Sequence, residues 1–237
     1  MITLQKVLQD SPLLHKQEEG SSTSWQLSDE ALHFIDKNVN ENSTTLETGA
    51  GISTILFAIK SSYHTCICPN QEQINLIKNY CQQHQISTEK IDFKVDVSEN
   101  VLPLAQINEL DLVLIDGSHA FPVPFLDWFY TYQKLKVGGR LIVDDTQLWT
   151  GYILKKFLLF EPEWKFNVNS PPRSAFFTKV KPYNSTKWHG QQPYLMKNSY
   201  FSILGAKLQV LKRLLLNGQF GRLSKLLVKQ LGRSKTK

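Results

Sequence analysis

Between residues 44 and 145, short apolar runs alternate with longer stretches in which apolar residues recur every three or four positions. The short runs are STTLET, YHTCIC, IDFKV, LDLVLID and RLIVDD, and they predict five strands. The periodic stretches predict helices. WQLSDEALHFIDKNV is capped by Ser28 with acids in its first turn, GAGISTILFAIK leaves a glycine turn, and NQEQINLIKNYCQQH is amphipathic. A short helix is predicted around ENVLPLA, and FPVPFLDWFYTYQKL carries Pro122 and Pro124 in its opening turn, where proline is tolerated. TGYILKKFLLF predicts one more helix, and WKFNV and SAFFTKV two more strands.

Strands that alternate with helices of 10–15 residues imply βαβ units and a mainly parallel sheet. The fourth and fifth strands are apolar throughout, as helices on both faces require. The fold class is therefore α/β, a Rossmann-like and mostly parallel seven-stranded sheet, followed by a basic helical C-terminal tail. In such a sheet, ligands bind beyond the carboxyl ends of the strands. LETGAG, LIDGSH and VDDTQLW all lie at such ends and are expected to meet in one crevice. One of them poses a question: an apolar strand ends on two adjacent carboxylates, Asp144 and Asp145, which repel each other and resist burial without a partner.

The glycine turn lacks the third glycine of the dinucleotide fingerprint, where Thr54 stands, and it lacks the Gly-Lys-Ser/Thr ending of a nucleotide P-loop. Glu47, just before Gly49, would repel a pyrophosphate but suit an ammonium or sulfonium group. The plain alternative is a strand–helix turn with a solvated Glu47. LETGAGIST, LDLVLIDGSH and VGGRLIVDD together resemble class I S-adenosylmethionine-dependent methyltransferases over roughly residues 25–182. The resemblance implies a final antiparallel strand and a cofactor lined by Glu47, Gly49, Ala50, Gly51 and Ser53. Asp116 and Gly117 follow the fourth strand on the cofactor side. Asn70, with Glu72 just beyond, stands where the family usually has an acid for the ribose hydroxyls. Asp96, Ser98 and Glu99 are candidates for the adenine amino group.

Asp116, Asp144 and Asp145 in one crevice would suit Mg²⁺ or another divalent cation. The set is similar to that of metal-dependent O-methyltransferases of the catechol, caffeoyl-CoA and macrocin types. The implied reaction is methylation of a hydroxyl on a small molecule or glycan, with metal ligands Asp116, Asp144 and Asp145 and with His119 and Asp144 as catalytic residues. Other readings stay open: Asp144 caps a helix and His119 serves a loop carbonyl; the enzyme is metal-independent with His119 or an Asp as base; or the chain is a cofactor-binding scaffold without catalysis. Phe121, Phe125, Trp128, Phe129 and Tyr132 recur at helical spacing and read as core, with Phe121 a candidate wall for the acceptor. Pro171 and Pro172 in NSPPR lie before the last strand, the wrong place for an N-methylation motif.

Charge changes the picture at the carboxyl end. Residues 183–237 hold eleven of the 27 Lys and Arg and none of the 21 Asp and Glu, so an acidic body precedes a basic tail. Three parts follow: a lead-in over 1–24, the S-adenosylmethionine-binding domain over 25–182, and a basic amphipathic extension over 183–237. Residues 201–231 predict two helices split at Asn217-Gly218, with apolar stripes (Leu208, Leu211, Leu215; Leu223, Leu226, Leu227) and basic flanks (Lys207, Lys212, Arg213; Arg222, Lys225, Lys229). An anionic membrane surface fits such helices, as does packing on the body or on a second copy in a homodimer. Nucleic acid lacks a supporting signature. No apolar run is long enough to span a bilayer, and the first residues do not read as a signal peptide, which makes a cytoplasmic address the default expectation. Cys66, Cys68 and Cys81 read as packed core thiols.

Overall fold

The computed structural model describes residues 2–14, 26–107, 109–182, 184 and 188–222. The chain divides into two compact units, Met1–Ser185 and Thr186–Lys237.

In the first unit the strands are β1 (Thr44–Thr48), β2 (Tyr63–Ile67), β3 (Ile91–Lys94), β4 (Leu110–Ile115), β5 (Leu135–Val143), β6 (Trp164–Phe166) and β7 (Ala175–Lys179). They form one sheet in the order β3-β2-β1-β4-β5-β7-β6. β1 through β5 run parallel, and β7 is antiparallel to both β5 and β6. The order reverses between β1 and β4, which opens a crevice at their carboxyl ends.

The helices are α1 (Leu4–Asp10), α2 (Asp29–Asn38), α3 (Ile52–Lys60), α4 (Gln71–Gln83), α5 (Ser98–Val101), α6 (Val123–Thr131) and α7 (Trp149–Phe160). Ser28 caps α2 by accepting from the Ala31 amide, as its position before two acids predicts. Residues from α1 to α4 share one apolar cluster with Leu112, Leu114, Ile142 and Phe176 of the sheet. Val113 and Ile115, pointing to the other face, are equally buried. Helices therefore cover both faces.

The lead-in is more structured than its polar composition suggests. Leu4, Val7 and Leu14 are buried in the apolar cluster, and the Tyr80 hydroxyl donates to Asp10 Oδ2 at 2.9 Å, tying α1 to α4. Seven residues give barely two turns, too short for a helical period to stand out.

The second unit contains α8 (Pro193–Leu216), which begins before the predicted Phe201 and stops at the predicted Asn217-Gly218 break. Phe201, Leu208 and Leu216 are exposed along it, as are Lys207, Lys212 and Arg213. Leu223, Leu226, Leu227, Lys225 and Lys229 of the predicted second helix lie outside the described residues. Among the described residues, no helix is long and apolar enough to cross a membrane.

Candidate active site

Backbone bonds carry the sheet's ladder one residue past its strands. The Gly49 amide donates to Ile67 O (2.9 Å), Asp116 to Thr48 O (3.1 Å) and Asp144 to Ile115 O (3.0 Å). The tips of β1, β4 and β5 are thereby aligned, and the three motifs meet as expected. A cavity of about 340 Å³ opens above β1 and β4, within the range of small-ligand sites. Of the sequence-predicted residues it is lined by Gly49, Ala50, Asn70, Ser98, Glu99, Asp116, Gly117, His119 and Asp145. Glu47, Gly51, Ser53, Glu72, Asp96 and Asp144 are not part of that lining, though Gly51 and Ser53 border a smaller hollow next to it with Ala50 and Asp116.

Gly49 has φ +91°, and a Cβ there would lie 2.1 Å from the Asp116 carbonyl oxygen. Only glycine lets the two loops approach this closely. Asn70 begins α4, and its Oδ1 accepts from the amides of Glu72 (3.0 Å) and Gln73 (3.1 Å). One residue that the sequence reading missed, Gln73, donates from Nε2 to Ala50 O at 2.5 Å and clamps the glycine loop to α4. Thr48, Ile67, Val97 and Ser118 also line the cavity. Their types carry no chemical signal, so their roles follow from position alone.

Glu47 departs from its expected role. Its Oε2 accepts from Ser53 Oγ at 2.6 Å, its Oε1 takes a short bond from Thr54 Oγ1, and His64 Nε2 stands 3.1 Å from Oε1. His64 Nδ1 in turn meets Thr45 Oγ1 at 2.8 Å. The carboxylate is spent under the loop, because β1 alternation turns it toward α3 rather than toward the cavity. Cys66 completes a group with Glu47 and His64 whose potential ligand atoms lie within 4.8 Å of one another, and all three residues are buried. Burial and then Glu47 push the Cys66 thiol well above its ordinary range, which keeps it protonated. With hydroxyl and ring partners already bonded to Glu47, the group is a closed hydrogen-bond network.

The paired aspartates have partners of their own. Asp145, with φ +48°, accepts at Oδ1 from Gln147 Nε2 (2.6 Å) and Arg173 Nη2 (2.8 Å), and its Oδ2 lies 3.0 Å from His119 Nε2. Burial works to raise its carboxyl, but the Arg173 and Gln147 donors and His119 hold it below the usual range. Asp144 accepts a short bond from Ser174 Oγ, and burial, with Asp145 beside it, leaves its carboxyl raised. Burial and the charges of Asp144, Asp145 and Glu47 push Asp116 well up. Asp116 Oδ1 is 3.9 Å from His119 Nε2.

A divalent cation on Asp116, Asp144 and Asp145 does not fit this arrangement. Among the described residues, these three offer no set of ligand atoms within 4.8 Å of one another. Asp145 Oδ1 already accepts from Gln147 and Arg173, Oδ2 lies against the His119 ring, and Asp144 lies outside the cavity lining. Hard cations need converging oxygens free of competing protons.

Asp127, which the sequence reading did not single out, lies wholly buried beneath the cavity and accepts from Thr48 Oγ1 at 2.8 Å. Burial raises its carboxyl to about 6, against the lowering effect of Ser98 and Thr48. On the outer side, Phe121 and Trp149 are exposed aromatic rings with centroids 6.0 Å apart. Thr150 Oγ1 donates to the His119 carbonyl at 2.6 Å and ties the His119 loop to the start of α7.

Residues 46–146 match the family described as a methyltransferase domain. Solved structures share the fold. A candidate caffeoyl-CoA O-methyltransferase from Staphylococcus aureus superposes with TM-score 0.58 at 16% identity, over 76% of this chain and 93% of that one. A candidate methyltransferase from Streptococcus mutans, solved with SAH, gives 0.52 at 12% over 65% and 100%. The O-methyltransferase NovP gives 0.57 at 14% over 68% and 84%. A comparison with curated proteins finds no match. The strand order and the glycine loop belong to a Rossmann-like fold shared with these methyltransferases, and within it residues 46–146 form a methyltransferase domain.

Proposed function

We propose that the enzyme methylates a hydroxyl group on a small molecule or glycan, with His119 as the base. The observation that carries this reading is the His119–Asp145 pair, 3.0 Å apart at the edge of the cavity. A carboxylate on Nε2 fixes the ring and leaves Nδ1 as the nitrogen able to take a proton. Thr150 holds the His119 backbone in place.

S-adenosylmethionine, when bound, supplies an electrophilic methyl group on a sulfonium. Gly49, Ala50, Asp116 and Gly117 would hold its amino-acid side, while Asn70, Gln73, Ser98 and Glu99 would hold the nucleoside. His119 removes the acceptor's hydroxyl proton as that oxygen accepts the methyl group, and Asp145 stabilises the resulting imidazolium. No step passes through a metal. Phe121 and Trp149 would wall the acceptor, and their exposed ring faces suit an aromatic or sugar ring. The exposed apolar and basic residues of α8 suit an anionic membrane surface, where acceptors of the glycolipid type would be found.

Labelled cofactor and a panel of phenolic and sugar hydroxyl acceptors test the reading. EDTA-treated protein is expected to retain transfer. His119→Gln should lose about 10²–10⁴-fold in turnover, the worth of a positioned base, with S-adenosylhomocysteine binding retained. Undiminished turnover in that variant would exclude His119 as the base, and loss of transfer in EDTA would restore the metal.

A further inference from the structure

The segment NSPPRS, which matches no N-methylation motif in its position, supplies partners to both of the paired aspartates. Ser170 Oγ donates to Asn167 O at 2.6 Å and accepts from the Phe176 amide at 2.9 Å, closing the turn between β6 and β7. The turn then docks on the end of β5 residue against residue. Ser174 bonds Asp144, the Arg173 side chain bonds Asp145, and the Thr146 amide donates to the Arg173 carbonyl at 2.7 Å. The guanidinium sits beside Asp145 with Asp144 and Asp116 next in its field.

We infer that Arg173 is the built-in counter-cation of this site, taking the place of a divalent metal on the paired aspartates and keeping Asp145 aligned on His119. The inference rests on the proposed active site. Its geometric basis is the 2.8 Å Arg173–Asp145 bond together with the antiparallel pairing of β7 on β5, which delivers Arg173 to the carboxylates. A guanidinium is always charged and bonds carboxylates directionally. It supplies one positive charge to the carboxylates without offering open coordination positions.

The test is a Mn²⁺ titration, followed by electron paramagnetic resonance, of the full chain saturated with S-adenosylhomocysteine. The wild type is expected to leave Mn²⁺ free. Arg173→Met should raise Mn²⁺ affinity at least ~10-fold, about what one charge-assisted contact is worth, and adding Asp144→Asn should abolish the gain. Arg173→Lys should behave as the wild type. Arg173→Gln serves if the Met variant does not fold, and retained S-adenosylhomocysteine binding reports folding in each case. Stoichiometric Mn²⁺ binding by the wild type that Asp145→Asn removes would overturn the inference, as would no gain in either neutral variant. Failure of the wild type to bind S-adenosylhomocysteine would instead strike at the proposed site, whatever the Mn²⁺ result.

Discussion

Asp127 illustrates how one buried carboxyl couples the site to stability. It is fully buried, and its Oδ1 has no hydrogen-bond partner among the described residues. Its folded pKa of about 6 lies above the ~3.9 of an unfolded aspartate. The neutral form is therefore the one that folding favours. Its contribution is fully present below about pH 4 and is lost as pH rises through 6, because the ionised form must then be buried. Urea unfolding at pH 5 and pH 8 should show this loss. Between those two pH values its upper bound is about 1.4 kcal/mol, roughly half of the full difference between a carboxyl that titrates near 4 and one that titrates near 6, because pH 5 already lies above the unfolded value. Asp127→Asn, which can still accept from Thr48, should flatten the difference; an unchanged pH dependence would place its origin elsewhere. Sequence reading missed Asp127 because it sits within a helix among aromatics, FLDWF, and looks like a solvated acid. A charge at a strand end suggests a ligand, while the partners that the structure gives Glu47, namely Ser53, Thr54 and His64, come from two other elements and leave no local signal.

The elements themselves were largely legible, because alternation and helical period in this chain are strong and the turns between them carry glycine, proline or caps. Every predicted strand of the first unit is present within a few residues of its expected bounds. β5 starts earlier than Arg140, at Leu135, but its register on β4 shifts between the Leu135 and Arg140 pairings, and Gly138, at φ +92°, keeps the expected glycine turn as an irregularity inside the strand. The loop joining β1 to α3 is the element on which the proposed cofactor binding depends. Gly49→Ala combines a left-handed φ with a Cβ 2.1 Å from a backbone oxygen, and neither can relax without parting β1 from β4. Calorimetry should find S-adenosylhomocysteine binding abolished in this variant, with the Asp116 loop displaced. Full affinity would show that the approach of the two loops is dispensable.

Across the whole chain, charge is divided. The first 182 residues hold all 21 acids and 16 of the 27 basic residues, and the rest is uniformly basic. We propose that the two parts act separately, the body in catalysis and the tail in attachment. A chain ending at residue 185 should bind S-adenosylhomocysteine like the full chain but lose sedimentation with phosphatidylserine vesicles. The attachment of the full chain should weaken with salt, as screening of exposed charges requires. Equal sedimentation of both forms would remove the tail from the membrane reading.

What the linear pattern specified was the order and type of elements, the class of fold, and the three loops that meet at the cavity. These depend on local periodicity and on the rule that parallel strands present their carboxyl ends together. Which side chain faces which was settled by packing. The register of β7 on β5 sets Arg173 against Asp145, and the pleat of β1 turns Glu47 away from the cavity toward His64. Partners separated by 28 residues in one case and 17 in the other leave no periodic trace, because their contact exists only once non-adjacent elements share a sheet.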